Sequence, residues 1–375
     1  MKKLRVVVVS SGLAPQFGGA AVSEASLCAF LSQHADVTVL CRGDAVDGEF
    51  VQGFGLNGVV RYQPAEIYEA WRNKAEWVHK ILDAADVLHL NGHWRWENYF
   101  FARLCKRKGV PYVLHPRGML LVGHRKTLLK YLFNLLIGKW IVRHASKVIA
   151  LSQFETRHFD TYGLPARAVQ IIPNGIPVNE SKQIPIPAHI HLPEKYFLYY
   201  GRVEKRKNLV FLVQAFGEYV RAGGSAHLFI MGPVERGYDR TIRAAADAED
   251  VTFRVHLLAP QYDDTRWELV RRSLAVVYPA LEEPFGRVPF EAVAVGTVPI
   301  IPDRSGSAEY LKWHLPSAVY KHQDRHSLSA ALLRAEKGSI GGTPEAREWV
   351  KNALDWKRIS NAVLDLYREV GAGTA

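Results

Sequence analysis

The segment Tyr278–Pro302, YPALEEPFGRVPFEAVAVGTVPIIP, predicts a strand, a loop, a short helix and a second strand. Seven residues, among them Gly286 and Pro289, separate two carboxylates, Glu283 and Glu291. Pro289 suits the first position of a helix, where free N–H groups and the helix dipole favour a phosphate. Glu291 is then expected in the first helical turn, and Glu283 on the loop, free to face another part of the ligand. The spacing fits such a diphosphate site, and it equally fits a buried strand followed by a helix with an ordinary acidic first turn.

This segment resembles the E-x7-E signature of the retaining glycosyltransferases of family 4. The run EAVAVGTVPII resembles that family's E-A-x-A-x-G-x-P-V-I run. The resemblance implies the GT-B fold, in which two Rossmann-like α/β domains face each other and a C-terminal helix crosses back to the first domain. It also implies that Glu291 binds the nucleotide ribose and Glu283 the transferred sugar, with Phe285, Gly286 and Arg287 beside the donor.

The length of the chain, 375 residues, favours two domains that can each bury a core. Helix and strand patterns alternate throughout, which is typical of parallel α/β sheets. Four prolines between Pro177 and Pro193 indicate an interdomain linker. We therefore predict an acceptor-side domain over 1–177 and a linker over 178–195. The nucleotide-sugar-binding domain is predicted over 196–355, and the returning C-terminal helix over 356–375.

Three cysteines without paired or metal-type spacing favour a reducing compartment and no zinc site. The N-terminal run LRVVVVSSG is too short and too strand-like for a signal peptide, which argues against a bilobed periplasmic receptor. No run of about 18 apolar residues predicts a membrane span. These features predict a cytoplasmic protein.

The net charge of +11 favours an anionic partner, namely a nucleotide, a membrane surface or a nucleic acid. Between Glu97 and Glu155 the chain has no acidic residue, and its eleven basic residues there equal the net charge of the whole protein. These residues are Arg103, Lys106, Arg107, Lys108, Arg117, Arg125, Lys126, Lys130, Lys139, Arg143 and Lys147. No nucleic-acid recognition module appears in the sequence, so a nucleic-acid partner is not expected.

The segment His124–Ala145, inside this basic window, predicts a helix with a broad apolar face. That face comprises Leu128, Leu132, Leu135, Leu136 and Trp140. One interpretation is a core helix with a solvated basic side, and the other is a helix that lies on an anionic membrane. The missing acids favour the second, and predict peripheral association with the inner face of the cytoplasmic membrane.

A glycine-containing loop follows the first predicted strand, Leu4–Ser10, and carries Gly12, Gly18 and Gly19. It lacks the dinucleotide-binding spacing and reads by itself as a tight turn. It resembles the family's Gly-Gly loop, which closes over the donor phosphate and the acceptor. The resemblance therefore assigns Gly19 to the donor site.

His115 and Arg117 lie in Pro111–Leu120, where a strand is predicted to end at the crevice typical of open α/β sheets. Alternatively, His115 packs at the strand end and Arg117 forms a surface ion pair. The segment resembles one that usually ends in His-Gly, whose histidine contacts the donor sugar. Arg117 stands at the position of that histidine, and His115 lies two residues earlier. Alternate strand residues share a face, so both side chains can reach the site.

Arg202 and Lys207 flank a loop between a strand, Tyr196–Gly201, and a helix. Two cations there suit a diphosphate, although a solvated basic turn has the same pattern. The loop resembles the family's G-R-x-x-x-x-K-N motif, which implies that both residues bind the donor diphosphate. No D-x-D carboxylate pair stands beside them, so we expect neither a metal nor another cofactor.

These resemblances predict a retaining glycosyltransferase that moves a hexosyl group from a nucleotide-diphosphate sugar to a glycan or lipid-linked acceptor hydroxyl. The donor phosphate would assist the incoming hydroxyl. Cell-surface polysaccharide or lipopolysaccharide biosynthesis is the expected setting, with UDP and GDP both open as the nucleotide. The alternative is a sugar-nucleotide epimerase of the same architecture, which would need a general acid and base near the sugar.

Overall fold

A seven-stranded parallel sheet forms the centre of the first of two units, Met1–Gly175 together with Trp356–Ala375. The computed structural model describes residues 3–72, 75–121, 127–177 and 184–372. The strand order is β3-β2-β1-β4-β5-β6-β7. The strands are β1 (Arg5–Val9), β2 (Asp36–Arg42), β3 (Val59–Tyr62), β4 (Val87–Asn91), β5 (Tyr112–His115), β6 (Lys147–Ala150) and β7 (Val169–Ile171).

Helices pack on both faces of this sheet, since its buried Val- and Leu-rich strands need apolar cover on each side. A π-helix, Asn134–Gly138, lies between α6 and α7. The helices are α1 (Gly19–Leu31), α2 (Gly48–Gly53), α3 (Pro64–Trp71), α4 (Glu76–Ala84), α5 (Trp96–Lys108), α6 (Thr127–Phe133), α7 (Lys139–Arg143) and α8 (Gln153–Thr156).

The second unit, Ile176–Asp355, has a six-stranded parallel sheet in the order β10-β9-β8-β11-β12-β13. Its strands are β8 (Tyr196–Tyr200), β9 (His227–Met231), β10 (Val255–Leu258), β11 (Ala275–Val277), β12 (Pro299–Pro302) and β13 (Val319–Tyr320). Its helices are α9 (Leu209–Arg221), α10 (Tyr238–Ala248), α11 (Asp264–Arg272), α12 (Arg287–Ala294), α13 (Gly306–Leu311), α14 (Arg325–Glu336) and α15 (Pro344–Ala353).

The C-terminal helix α16 (Trp356–Ala372) belongs to the first unit, as predicted. Its apolar face, which includes Trp356, Val363 and Tyr367, joins the core that contains α1 and β1. Gly175 lies against the Trp356 ring, where a Cβ atom would clash. Two parallel α/β units with this returning helix confirm the predicted fold class.

Two predicted elements have different bounds in the structure. The run EIYEAWRNKAEWVHKILDAA, residues 66–85, predicts one helix from the sequence, whereas the structure has two helices, α3 and α4. Helix α12 begins at Arg287, two residues before Pro289, because Gly286 adopts φ +70° and turns the chain directly into the helix. Pro289 is tolerated there, since the first N–H groups of a helix have no intrahelical acceptor. Glu291 consequently lies in the second turn, and the prediction of the first turn is wrong.

Each sheet reverses its strand order once, between β1 and β4 in the first unit and between β8 and β11 in the second. In open α/β sheets, ligands bind outside the carboxyl ends of the strands at such a point. Ser10 and Asn91 stand at the ends of β1 and β4, and Gly201 and Tyr278 follow β8 and β11. The candidate site residues of each unit gather there.

Candidate active site

Glu283 is held by two side chains of the second unit and is not free on its loop as the sequence predicts. Its Oε2 accepts a hydrogen bond from Lys207 Nζ at 2.6 Å and another from the Tyr278 hydroxyl at 2.9 Å. Burial raises the pKa of Glu283, but the charge of Lys207 and these hydrogen bonds outweigh burial and leave the pKa below its ordinary value. Glu283 is therefore an ionised carboxylate with a cation beside it.

Glu291 also has a cationic partner. Its Oε1 lies 2.9 Å from Arg287 Nη2, one turn earlier on α12. Its Oε2 accepts a hydrogen bond from the Tyr200 hydroxyl at 3.0 Å. Both charged side chains are largely buried, and a buried charge pair of this kind needs such extra hydrogen bonds to be tolerated.

Gly286 stands between the two carboxylates at the N-terminus of α12. A Cβ atom built there would lie 2.9 Å from Glu283 Cγ and 3.2 Å from Tyr278 Cε1, so the backbone approaches closely because the residue is glycine. The side chain of Phe285 is buried and stacks on Phe290 with 4.5 Å between ring centroids. A contribution of Phe285 to donor binding would therefore come from its backbone.

The two cations predicted to bind a diphosphate differ in setting. Both precede α9 in the loop that follows β8. Lys207 points inward, and its side chain is 12% exposed, whereas that of Arg202 is 50% exposed and lies 3.2 Å from Glu204. The structure thus brings Lys207 to Glu283 and leaves Arg202 at the surface of the same loop.

In the first unit, the side chain of Arg117 is buried, and its backbone has left-handed geometry, with φ +52°. Its Nε donates to Asn91 Oδ1 at 2.8 Å, and its Nη1 donates to Asn174 Oδ1 at 3.0 Å. Its Nε also lies 3.7 Å from Glu24 Oε1, and Glu24 accepts a hydrogen bond from Ser10 Oγ at 2.6 Å. The alternative of a surface ion pair at Arg117 is therefore wrong, because the pair is in the interior.

His115 belongs to the same buried cluster. It is 3% exposed, and within the described part of the chain neither ring nitrogen has a hydrogen-bond partner. Burial, and then the charges of Arg117 and His89, lower its pKa well below the usual value. His89 in turn contacts the Tyr367 hydroxyl of α16 through Nδ1 at 2.6 Å. Strand β5 ends at His115, and Arg117 follows it in left-handed geometry, so the two residues do not alternate along one strand as the sequence predicts. Burial keeps His115 a neutral imidazole.

Gly19 is the first residue of α1, and Gly18 precedes it at φ +60°. Helix α1 also carries Glu24, so the glycine loop and the Arg117 cluster are positioned by one helix. In the described ranges, no group of three or more His, Cys, Asp or Glu side chains is arranged to hold a metal ion.

Sequence reasoning missed Glu24, Asn91, Tyr200 and Tyr278. Tyr200 and Tyr278 end or follow strands next to the reversal of strand order, and that position is the only signal that could have indicated them. Glu24 lies within an apolar helix sequence, where a lone carboxylate indicates a buried partner.

Comparison with known proteins covers both units. Residues 18–175 match the glycosyl transferase 4-like domain, and residues 182–356 match glycosyl transferases group 1. The chain is 24% identical over 403 residues to alpha-maltose-1-phosphate synthase of Mycolicibacterium smegmatis, covering 98% of this chain and 100% of that protein. It is 24% identical over 233 residues to lipopolysaccharide 1,2-N-acetylglucosaminetransferase of Salmonella typhimurium, covering 57% of this chain and 60% of the relative.

A solved structure of Anabaena Alr3699/HepE in complex with UDP and glucose is similar over 98% of this chain and 100% of that one. The TM-score is 0.79 at 18% sequence identity.

Proposed function

Because the chain is a glycosyltransferase of the GT-B fold, we propose that it moves a hexosyl group from a nucleotide-diphosphate sugar to an acceptor hydroxyl. Its first unit matches the glycosyl transferase 4-like domain, and its second unit matches glycosyl transferases group 1. The anomeric configuration is retained in this reaction. The observation that carries the proposal is the pair of cation-bound carboxylates on either side of Gly286, the partly buried Glu283 and the buried Glu291. The Anabaena structure, with UDP and glucose bound, supports a nucleotide sugar as the donor.

In this proposal the second unit binds the donor diphosphate through the loop after β8. Arg202 and Lys207 offset the phosphate charge, so the reaction needs no metal ion. The half-exposed setting of Arg202 supports this role, since its guanidinium can turn from Glu204 to a phosphate while Arg206 stays paired with Glu204. Backbone N–H groups at the start of α12 add further donors near Gly286.

The two carboxylates have separate roles. Glu291 accepts hydrogen bonds from the nucleotide ribose, and Glu283 holds the transferred hexose. The depressed pKa of Glu283 supports its role as a hydrogen-bond acceptor, because a carboxylate that stays ionised accepts bonds and does not donate a proton. Glu283 positions the sugar and does not attack it.

The chemical step breaks the bond between the anomeric carbon and the donor phosphate oxygen. The acceptor oxygen forms the new bond on the same face, and its proton passes to the departing phosphate. His115 and Arg117 of the first unit belong to the catalytic set in this proposal, as does Gly19 to the donor site. The neutral state of His115 supports a hydrogen-bonding role toward a sugar hydroxyl.

The acceptor is proposed to be a glycan or lipid-linked sugar in cell-surface polysaccharide or lipopolysaccharide synthesis. The similarity to lipopolysaccharide 1,2-N-acetylglucosaminetransferase of Salmonella typhimurium supports this setting. Over the described ranges no helix is both long and apolar enough to cross a bilayer. We place the protein in the cytoplasm, at the inner face of the cytoplasmic membrane, with no nucleic-acid partner.

The test is a thermal-unfolding screen against UDP- and GDP-linked hexoses, since a bound donor raises the unfolding temperature by mass action. The protective donor is then incubated with candidate acceptors, and the anomeric configuration of the product is determined by NMR. Transfer with retention is the expected result. Exchange of ring hydrogen with solvent in the absence of acceptor would instead favour the epimerase. No protection by any nucleotide sugar would contradict both.

A further inference from the structure

Six large apolar or aromatic side chains lie side by side at the surface of α6 and the π-helix, and we call them the leucine face. They are 42% to 71% exposed, which overturns the interpretation of this segment as an ordinary core helix. Their spacing of three, four, seven and eight residues places them on one helix side. They are Leu128, Leu129, Tyr131, Leu132, Leu135 and Leu136.

The opposite side of the same helical segment is already buried in the first unit. Ile137 and Ile141 pack in its interior, and Asn134 bonds to two side chains there. Asn134 Oδ1 accepts from His93 Nε2 at 3.0 Å, and its Nδ2 donates to the Tyr162 hydroxyl at 2.8 Å. A surface helix of a globular protein has a polar outer side, whereas this segment is apolar on both sides. The leucine face is therefore available to a partner.

Charge identifies the class of that partner. The number of basic residues in the sequence overstates the positive charge at this surface. The side chain of Arg117 is buried, Lys108 pairs with Asp83, and Lys147 pairs with Glu369 at 2.7 Å. Lys130 nevertheless lies on α6 beside the leucine face, 5.3 Å from the Trp94 ring centroid. The stretch from 98 to 154 contains no acid.

Such a surface disfavours association with a second copy of this chain, because two copies would bring like charges together. It suits anionic lipid headgroups, which attract basic residues while apolar side chains enter the acyl boundary. Trp96, which is 56% exposed and packs edge-on against Phe133, adds the amphipathic ring that is enriched at membrane interfaces.

We propose that the leucine face inserts into the headgroup region of an anionic phospholipid bilayer and holds the first unit there. Basic residues attract the protein to the surface, and the inserted leucines retain it. The predicted basic residues Arg125 and Lys126 lie outside the described residues, so we assign the attraction to Lys130 and the retention to the leucine face. This proposal deepens the proposed function. It rests on that function only where it takes the acceptor to be lipid-linked.

The test uses the full chain with vesicles of phosphatidylcholine alone or of equimolar phosphatidylcholine and phosphatidylglycerol. The double variant Leu135→Ser, Leu136→Ser should weaken sedimentation with the mixed vesicles by about tenfold or more, since two inserted side chains are lost. The matched control is Phe253→Ser, which removes a 92% exposed apolar ring from the second unit and should bind as the wild type does. Both variants should keep the wild-type unfolding temperature and nucleoside diphosphate affinity.

A second measurement reports insertion directly. The three cysteines, Cys28, Cys41 and Cys105, are buried, so Leu136→Cys can be labelled selectively with a polarity-sensitive dye. Its emission should shift to the blue on mixed vesicles, and that of labelled Phe253→Cys should not. Absence of wild-type sedimentation, equal sedimentation of the double variant, or an unshifted dye would overturn the proposal. So would a wild-type dimer that the double variant abolishes. Retained nucleotide-sugar binding in those cases would leave the proposed function standing.

Discussion

Lys207 and Glu283 form an ion pair of 2.6 Å, although one is assigned to the donor diphosphate and the other to the transferred sugar. The Tyr278 hydroxyl bridges them, 2.7 Å from Lys207 Nζ and 2.9 Å from Glu283 Oε2. A phosphate that draws Lys207 away would leave Glu283 with acceptor capacity for sugar hydroxyls. The pair thus couples the two halves of the proposed donor site.

Arg202→Ala and Lys207→Ala should each weaken binding of the nucleoside diphosphate and remove most turnover. Each variant loses a charge-assisted contact of about 1.5–3 kcal/mol, to be measured by calorimetry. Arg206→Ala is the matched control, because Arg206 is equally exposed on the same loop and also pairs with Glu204. Lys207→Ala should in addition lower the unfolding temperature, since it leaves the partly buried carboxylate of Glu283 without its cation. Unchanged nucleotide affinity in both variants would refute the assignment.

Glu291→Ala and Glu283→Ala should separate the two carboxylates by function. Loss of Glu291 should weaken binding of the nucleotide alone, because the proposed contact is to the ribose. Loss of Glu283 should spare nucleotide binding and lower kcat, because the contact is to the sugar. Glu291→Gln and Glu283→Gln are the shape-matched controls for the cavity that alanine leaves. Equal loss of nucleotide affinity in both alanine variants would show that this division of roles is wrong.

His93 should make the first unit less stable in acid. Burial lowers its pKa to about 4 in the fold, against about 6.5 in an unfolded chain. The unfolded state therefore binds the proton first, and stability is lost as the pH falls from about 6.5 toward 4, by at most about 3 kcal/mol for this group. His93→Gln should flatten the fall of the unfolding midpoint across that range. The exposed His34→Gln should keep the wild-type slope, and an equally steep fall in His93→Gln would exclude the contribution.

Local pattern was sufficient to predict the alternation of strands and helices and the position of the candidate residues at strand ends. It could not predict the partners. Lys207 and Glu283 are 76 residues apart, and their pairing depends on two parallel strands lying side by side. Nor could periodicity decide which side of the π-helix meets solvent, since Leu135 and Ile137 are both apolar and only the packing of the unit buries one of them. The burial of the Arg117 side chain could not be predicted either. A charged residue is expected at the surface unless its buried partner, here Glu24, is known.

Gly286→Ala should lower kcat by displacing Glu283. The new Cβ atom would stand 2.9 Å from Glu283 Cγ, in a backbone conformation of φ +70° that also costs an alanine about 1–2 kcal/mol. Gly296→Ala is the matched control in the same unit, with φ +91° and no described atom within 4 Å of the added Cβ. Gly286→Ala should lose at least as much stability as Gly296→Ala in denaturant unfolding, since both variants carry the backbone cost and Gly286→Ala also displaces Glu283. Only Gly286→Ala should lose activity, by about a hundredfold, since a shift of about 1 Å in a positioning group has that effect. Equal kcat in the two variants would mean that Glu283 does not position the reacting sugar.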